Sequence, residues 1–196
     1  MKFSIYDILS NLIPGFLILF SLFFLLDDSL KDLDLATVLF LAYIVGYLNN
    51  TLSSWCEELF YLSWGGKPSD QLIEGKSIWK VKFYENKKAK EYLIKEANTE
   101  SPSNDNLFQI ALRYASSNEK VKDFNSNYAL SRNLIISFIS SIALMNIKYW
   151  FSYGILITSI ILVLIIWLRA KQRGFYFARE VLTVYIGIKD KENQAK

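Results

Sequence analysis

The sequence predicts an all-α membrane protein of four transmembrane helices, with a small, mainly helical cytoplasmic insertion between helices 2 and 3. Three observations carry the prediction. The 196 residues are 52% hydrophobic, barely above the globular average of about 45–50%, yet the apolar residues are gathered into long uninterrupted runs. Those runs have the length that a hydrocarbon core of about 30 Å demands, about 20 residues per helix. The charged residues lie almost wholly between the runs, and their signs are unevenly shared among the connecting segments.

The first span, Ile8–Leu26, holds no charge and carries Pro14-Gly15 in its first third. Proline removes one helical N–H, so the carbonyl it would have served needs a neighbouring helix or water. A cleaved signal peptide is not expected: the only base ahead of the run is Lys2, no small-x-small pattern follows it, and a second apolar run, Leu35–Leu48, starts almost at once. The two spans are read as a hairpin. The third and fourth lie within Leu134–Leu168, whose 35 residues would make one helix of about 52 Å, too long for a single crossing. Asn146-Ile147-Lys148 and the aromatics Tyr149, Trp150 and Phe151 therefore mark a tight interfacial turn, with Trp55 and Trp167 at the opposite interface. The apolar part of the third span before Lys148 is short, so it has to recruit Asn127–Asn133 at one end or lie tilted in a protein interior.

Short cytoplasmic loops carry an excess of Lys and Arg. The loop Asp27–Asp34 has four Asp and one Lys, whereas the tail beyond Leu168 has seven bases against three acids, which predicts both termini in the cytoplasm. The chain then divides into a transmembrane hairpin (1–54), a cytoplasmic insertion (55–133), a second hairpin (134–168) and a cytoplasmic amphipathic tail (169–196). Within the insertion, Trp55–Trp64 is read as a helix stopped by Gly65-Gly66-Lys67-Pro68. Ser77–Phe83 alternates as a short strand would, Glu85–Ala97 reads as a lysine-rich helix, and a further helix starts after Ser101-Pro102-Ser103 and runs to Ala115. An insertion of 79 residues encloses only a marginal core, so completion by other subunits is expected. In the tail, Phe175, Ala178, Leu182 and Tyr185 share one helical face, which suits either the headgroup layer or packing on the insertion.

With no His and a single Cys, zinc sites, Ser-His-Asp and Cys-His pairs and an intrachain disulfide framework are excluded. No catalytic residue, metal site or cofactor is predicted, and an enzyme is not expected. No Asp, Glu, Lys or Arg sits well inside a span, which disfavours an ion-coupled carrier. The second span carries a polar stripe, Tyr43, Gly46, Tyr47, Asn50, Thr51 and Ser54, along one helical face. In a bilayer such a face meets a water-filled path, as a pore lining or gate, or packs against another helix with Gly46 letting backbones approach. Ser137, Ser140 and Ser141 form a weaker stripe on the third span. Glu57 and Glu58, just beyond the main stripe, suit an acidic ring in an oligomer or an ordinary solvated face. In the insertion, Trp79, Lys80, Lys82 and Tyr84 interleave aromatic and basic residues ahead of Lys87, Lys88 and Lys90. Such a pattern stacks bases and tracks phosphate in single-stranded nucleic acid; an element with one aromatic core face and one lysine-bearing solvent face shows it equally. No Walker A, Rossmann, zinc or RNP motif accompanies it.

The four-span layout, together with the opening Tyr6-Asp7-Ile8-Leu9 and Ile13-Pro14-Gly15, resembles the small membrane effectors of bacterial anti-phage defence, those of the Hailong type (HalA) first and the Kiwa membrane subunit (KwaA) second. The first resemblance implies a homo-oligomeric, tetrameric channel in the bacterial inner membrane. Such a channel is held shut by a single-stranded DNA oligomer on its cytoplasmic part and depolarises the membrane when it opens. The second implies a membrane sensor or anchor that recruits a cytoplasmic defence protein. No ligand residue is carried over from either.

Overall fold

A computed structural model describes residues 5–26, 33–76, 78, 81–97, 99, 101–149 and 153–195. Among the described residues the regular elements are eight helices: α1 (Ile5–Leu25), α2 (Leu35–Trp55), α3 (Glu57–Trp64), α4 (Pro68–Ile73), α5 (Asn86–Ala97), α6 (Asn104–Ala115), α7 (Glu119–Tyr149) and α8 (Tyr153–Gln194). Three segments among the described residues, Ile8–Leu25, Leu35–Trp55 and Glu119–Lys148, are long and apolar enough to cross a membrane. Of the turn expected over residues 146–151, Asn146, Ile147, Lys148 and Tyr149 instead continue α7 as helix, while Trp150 and Phe151 lie outside the described residues. No strand forms among the described residues; where Ser77–Phe83 alternates, only an isolated antiparallel bridge joins Ile78 to Val81.

The chain folds as two compact units, one of residues 1–58 and 126–170, the other of 59–125 and 171–196. In the first, α1 and α2 form an antiparallel hairpin whose backbones touch. A Cβ on Gly15 would stand 1.8 Å from the Ala42 carbonyl oxygen, and one on Gly46 would stand 1.8 Å from that of Asn11. Only residues without a side chain allow this approach. α2 starts where Asp34 accepts from the Thr37 amide at 2.8 Å, an N-cap that satisfies one of the helix's orphan donors. α7 runs parallel to α1, with Asn133, Ser141 and Lys148 reaching the carbonyls of Ser10, Leu17 and Phe24 in turn. Against α2 it is antiparallel, since Ser137 meets Asn49 while Arg132 meets Ser53.

The second unit is built around the latter part of α8. Phe175, Ala178, Leu182 and Tyr185 lie buried on the face their spacing predicts, packed with Leu72 of α4, Leu93 of α5, Leu107 and Ala111 of α6 and Val121 of α7. The tail thus serves as the central helix of this unit, packing on the insertion, and supplies core residues that the 79-residue insertion lacks. The stop after α3 forms as the glycines dictate. Gly65 and Gly66 take φ of 82° and 122°, and the Gly66 N–H bonds back to the Tyr61 carbonyl at 2.8 Å, closing the helix end in the left-handed conformation that glycine alone adopts without strain.

Candidate functional site

Helix α2 has three faces, set by the rotation of about 100° per residue. Ala42, Gly46, Asn49 and Ser53, at steps of four, three and four, are buried against α1 and α7. A second face, Ile44, Leu48, Leu52 and Trp55, is apolar and exposed. The third face carries the polar stripe: Tyr43 is 38% and Tyr47 59% exposed, Ser54 is exposed, and Asn50 and Thr51 are half-buried. The Thr51 hydroxyl donates to the Tyr47 carbonyl at 3.2 Å. Five of the six stripe residues therefore share a surface that the first unit leaves open. Gly46 departs from them, because its backbone is sealed against Asn11 of α1.

The buried face leads to a polar knot that the stripe did not reveal. Asn133 is 1% exposed and Asn49 3%. The Asn49 amide Nδ2 donates to the Asn133 backbone carbonyl at 3.0 Å and to Ser137 Oγ at 2.9 Å, and also meets the Asn133 side-chain oxygen. Asn133 Nδ2 in turn donates to the Ser10 carbonyl at 2.9 Å. That carbonyl lies four residues before Pro14, which has no N–H to offer it, so the helix defect in α1 is repaired by an amide from α7. In an apolar bundle, where a bare carbonyl would cost several kcal/mol, this bond ties α7 to α1, and the Asn49 bonds tie α2 to α7. Of Ser137, Ser140 and Ser141, read from the sequence as a weak stripe, Ser137 and Ser141 are buried and Ser140 is half-buried, consistent with packing by small residues.

Just beyond the knot lies a charged cluster. Arg132 Nη1 is 2.8 Å from Glu57 Oε1, its Nε donates to Ser53 Oγ at 3.1 Å, and the Tyr128 hydroxyl donates to the same Glu57 oxygen at 2.9 Å. The guanidinium stands 5.5 Å from the Tyr128 ring centroid. Glu57 is consequently neutralised within its own chain, and the acidic ring suggested by Glu57 and Glu58 is reduced to Glu58, which is exposed.

In the second unit, Trp79 and Lys80 of the aromatic-basic segment lie outside the described residues. Val81 is buried, Phe83 packs against the core, and Lys82 is exposed, so over these three residues the segment has a core face and a solvent face. Tyr84 is 82% exposed, and Lys87 and Lys90 are exposed on α5. Lys88 is held apart from them, its Nζ 2.6 Å from Asp190 Oδ2, while the Tyr92 hydroxyl donates to Asp190 Oδ1 at 3.0 Å. The bond to Asp190 raises the Lys88 pKa, and the reciprocal bond holds the Asp190 carboxyl below its ordinary range. Four of the seven predicted ligand residues, Lys82, Tyr84, Lys87 and Lys90, thus present side chains to solvent, and Lys88 serves α8.

Sequence reasoning missed Asn49, Ser53, Tyr128, Arg132 and Asn133. Two signals pointed to them. Pro14 demanded a donor for Ser10, and Ala42, Gly46, Asn49 and Ser53 recur at steps of four, three and four, with the small Ala, Gly and Ser that mark close helix pairs. No group of metal-ligating residues occurs among the described residues. The chain matches no protein-family model, no curated protein and no solved structure.

Proposed function

We propose that the chain is a four-span, homo-oligomeric inner-membrane channel whose aqueous path is lined by Tyr43, Tyr47, Asn50, Thr51 and Ser54, with both termini and the second unit in the cytoplasm. The fourth span is the apolar first part of α8. The observation that carries the reading is the third face of α2. A helix able to cross a membrane already has one face that packs its own bundle and one that suits lipid, so the remaining polar face is left for water or for the same face of other copies. Lipid offers no partner to the hydroxyl and amide groups there.

Gating is assigned to the second unit, whose exposed Tyr84, Lys82, Lys87 and Lys90 suit the base faces and phosphates of a short single-stranded DNA oligomer. Trp79 and Lys80 belong to the same proposed surface by sequence. The resemblance to anti-phage effectors supplies the direction: bound oligomer favours the closed state, and its removal lets the membrane depolarise. Such control requires that the ligand bind one state more tightly than the other. The same exposed surface also supports a second reading, a membrane anchor that recruits a cytoplasmic defence protein and needs no ion path.

Purified protein in planar bilayers tests both. Current is expected, suppressed by single-stranded DNA of a few nucleotides, and Asn50→Leu with Thr51→Leu is expected to change conductance while assembly is retained. Conductance untouched by that double substitution would remove this lining. Silence of an assembled wild-type protein would leave the anchor.

A further inference from the structure

Resting on the channel reading, we propose that Arg132 is the positioning residue of a latch that fixes the last turn of α2, and with it the polar face, and that release of the latch opens the channel. Glu57, Tyr128 and Ser53 are its seats.

Four observations converge on it. The chain crosses between the units after residues 58, 125 and 170, and Glu57 and Tyr128 stand beside the first two crossings, the two that bound 59–125. A change on 59–125 when its ligand leaves is carried along the chain to the membrane helices past these two residues. Next, α2 does not continue into α3 as one helix. It ends at Trp55, with Cys56 in a turn of φ −80° and ψ 0° whose N–H bonds to the carbonyls of Leu52 and Ser54. The last turn of α2 is thus not braced by a continuing helix, and side chains on either side of the break, Ser53 of α2 and Glu57 of α3, are both held by Arg132. Third, Ser53 on the buried face is followed by Ser54 on the polar face, about 100° round the helix, so a turn that frees Ser53 swings Ser54 with it.

Finally, the latch has the character of a switch. The Arg132 side chain is only 12% exposed, and a guanidinium so covered is costly to leave without its carboxylate. The planar fork serves Glu57 through one nitrogen and Ser53 through another, a geometry lysine does not reproduce. Partial loosening strands a buried charge, so the cluster is either complete or given up to water, which is the two-state behaviour that coupling between sites requires.

The test uses full-length protein reconstituted with the short single-stranded DNA that holds the wild type shut, with current normalised to assembled protein. Arg132→Gln is expected to raise this DNA-suppressed current about tenfold, within the usual range for coupled sites. Arg132→Lys should fall between Arg132→Gln and wild type, and the exchange Glu57→Arg with Arg132→Glu should return current toward wild type. Thermal unfolding in detergent is recorded alongside: a merely structural role would lower the melting temperature of every variant without moving the current. If Arg132→Gln does not assemble, Tyr128→Phe carries the test, since it removes one hydroxyl from Glu57 and leaves the ion pair; a smaller rise in current supports the latch. Assembled variants that conduct as wild type, or an exchange variant that stays open, overturn the latch alone. A wild-type protein that is silent without DNA, or whose current DNA does not suppress, overturns the gated-channel reading, and the latch falls with it.

Discussion

Asn133 is the residue on which the first unit turns. Its side chain serves a carbonyl that Pro14 orphans, and its backbone carbonyl receives Asn49. Removing the side chain leaves the Ser10 carbonyl without its donor, at a cost of about 1–3 kcal/mol, while Asn49 keeps the backbone carbonyl at 133 and Ser137. We therefore expect Asn133→Ala to destabilise the protein in detergent by about that amount. In a Pro14→Ala background, where an N–H at position 14 again serves Ser10, the same substitution should cost less. A double-mutant cycle on thermal or denaturant unfolding measures the difference, and strict additivity would show that the two residues do not share this carbonyl. The demand for a donor was legible in the sequence from Pro14. The donor was not, since it comes from 123 residues further along the chain.

Among the helices, α2 shows how one element can be read correctly in kind and wrongly in part. Its polar stripe is real, but helical periodicity alone does not say which of three faces meets the protein. The stripe centres on Tyr43 and Tyr47, whereas the packed face is the neighbouring one through Gly46 and Asn49. The deciding quantity is backbone approach. Gly46→Ala would place a methyl group 1.8 Å from the Asn11 carbonyl oxygen, and forcing α1 and α2 apart is expected to lower the melting temperature markedly. Gly187 of α8, also inside a helix, has nothing within 4 Å of a built Cβ. Gly187→Ala should accordingly stabilise by about 0.5–1 kcal/mol through backbone entropy. Equal effects at the two positions would contradict the close approach in α1 and α2.

Taken as a whole molecule, the protein assembles each unit from two separated stretches of chain. The second unit depends on the end of α8, where polar bonds surround the apolar core. Lys189 Nζ lies 3.0 Å from Glu96 Oε2 and donates to the Tyr114 hydroxyl at 3.2 Å. Burial lowers the Lys189 pKa, and its bonds to Glu96, Glu192 and Tyr114 more than reverse this, for a net rise. Burial pushes the Tyr185 hydroxyl up to about 12. Bonds from Tyr114 and Lys189 lower Glu96, as the bond from Lys88 lowers Asp190. Carboxylates lowered in the folded state contribute stability above their unfolded values of 4.5 and 3.8, and lose it as pH falls through the folded ones. Groups raised in the folded state contribute below their unfolded values of 10.5 and 10.0, and lose it as pH rises. The stability of the second unit is therefore expected to plateau between these limits and to decline on either side. Chemical denaturation followed across pH checks this, and stability that rises in acid would contradict it. Glu96→Gln should weaken the acid limb.

Hydropathy runs, proline and glycine placement and helical spacing are properties of neighbouring residues. They sufficed to read a helical chain with membrane-length spans, the break after Trp64 and the buried face of the tail. Which face of α2 is sealed, which amide repairs Pro14, that Lys88 answers Asp190 and that the tail completes the second unit all depend on residues far apart in sequence. Their pairing follows from how closely backbones can approach and which buried polar groups need partners, and neither is expressed in any local stretch of the chain.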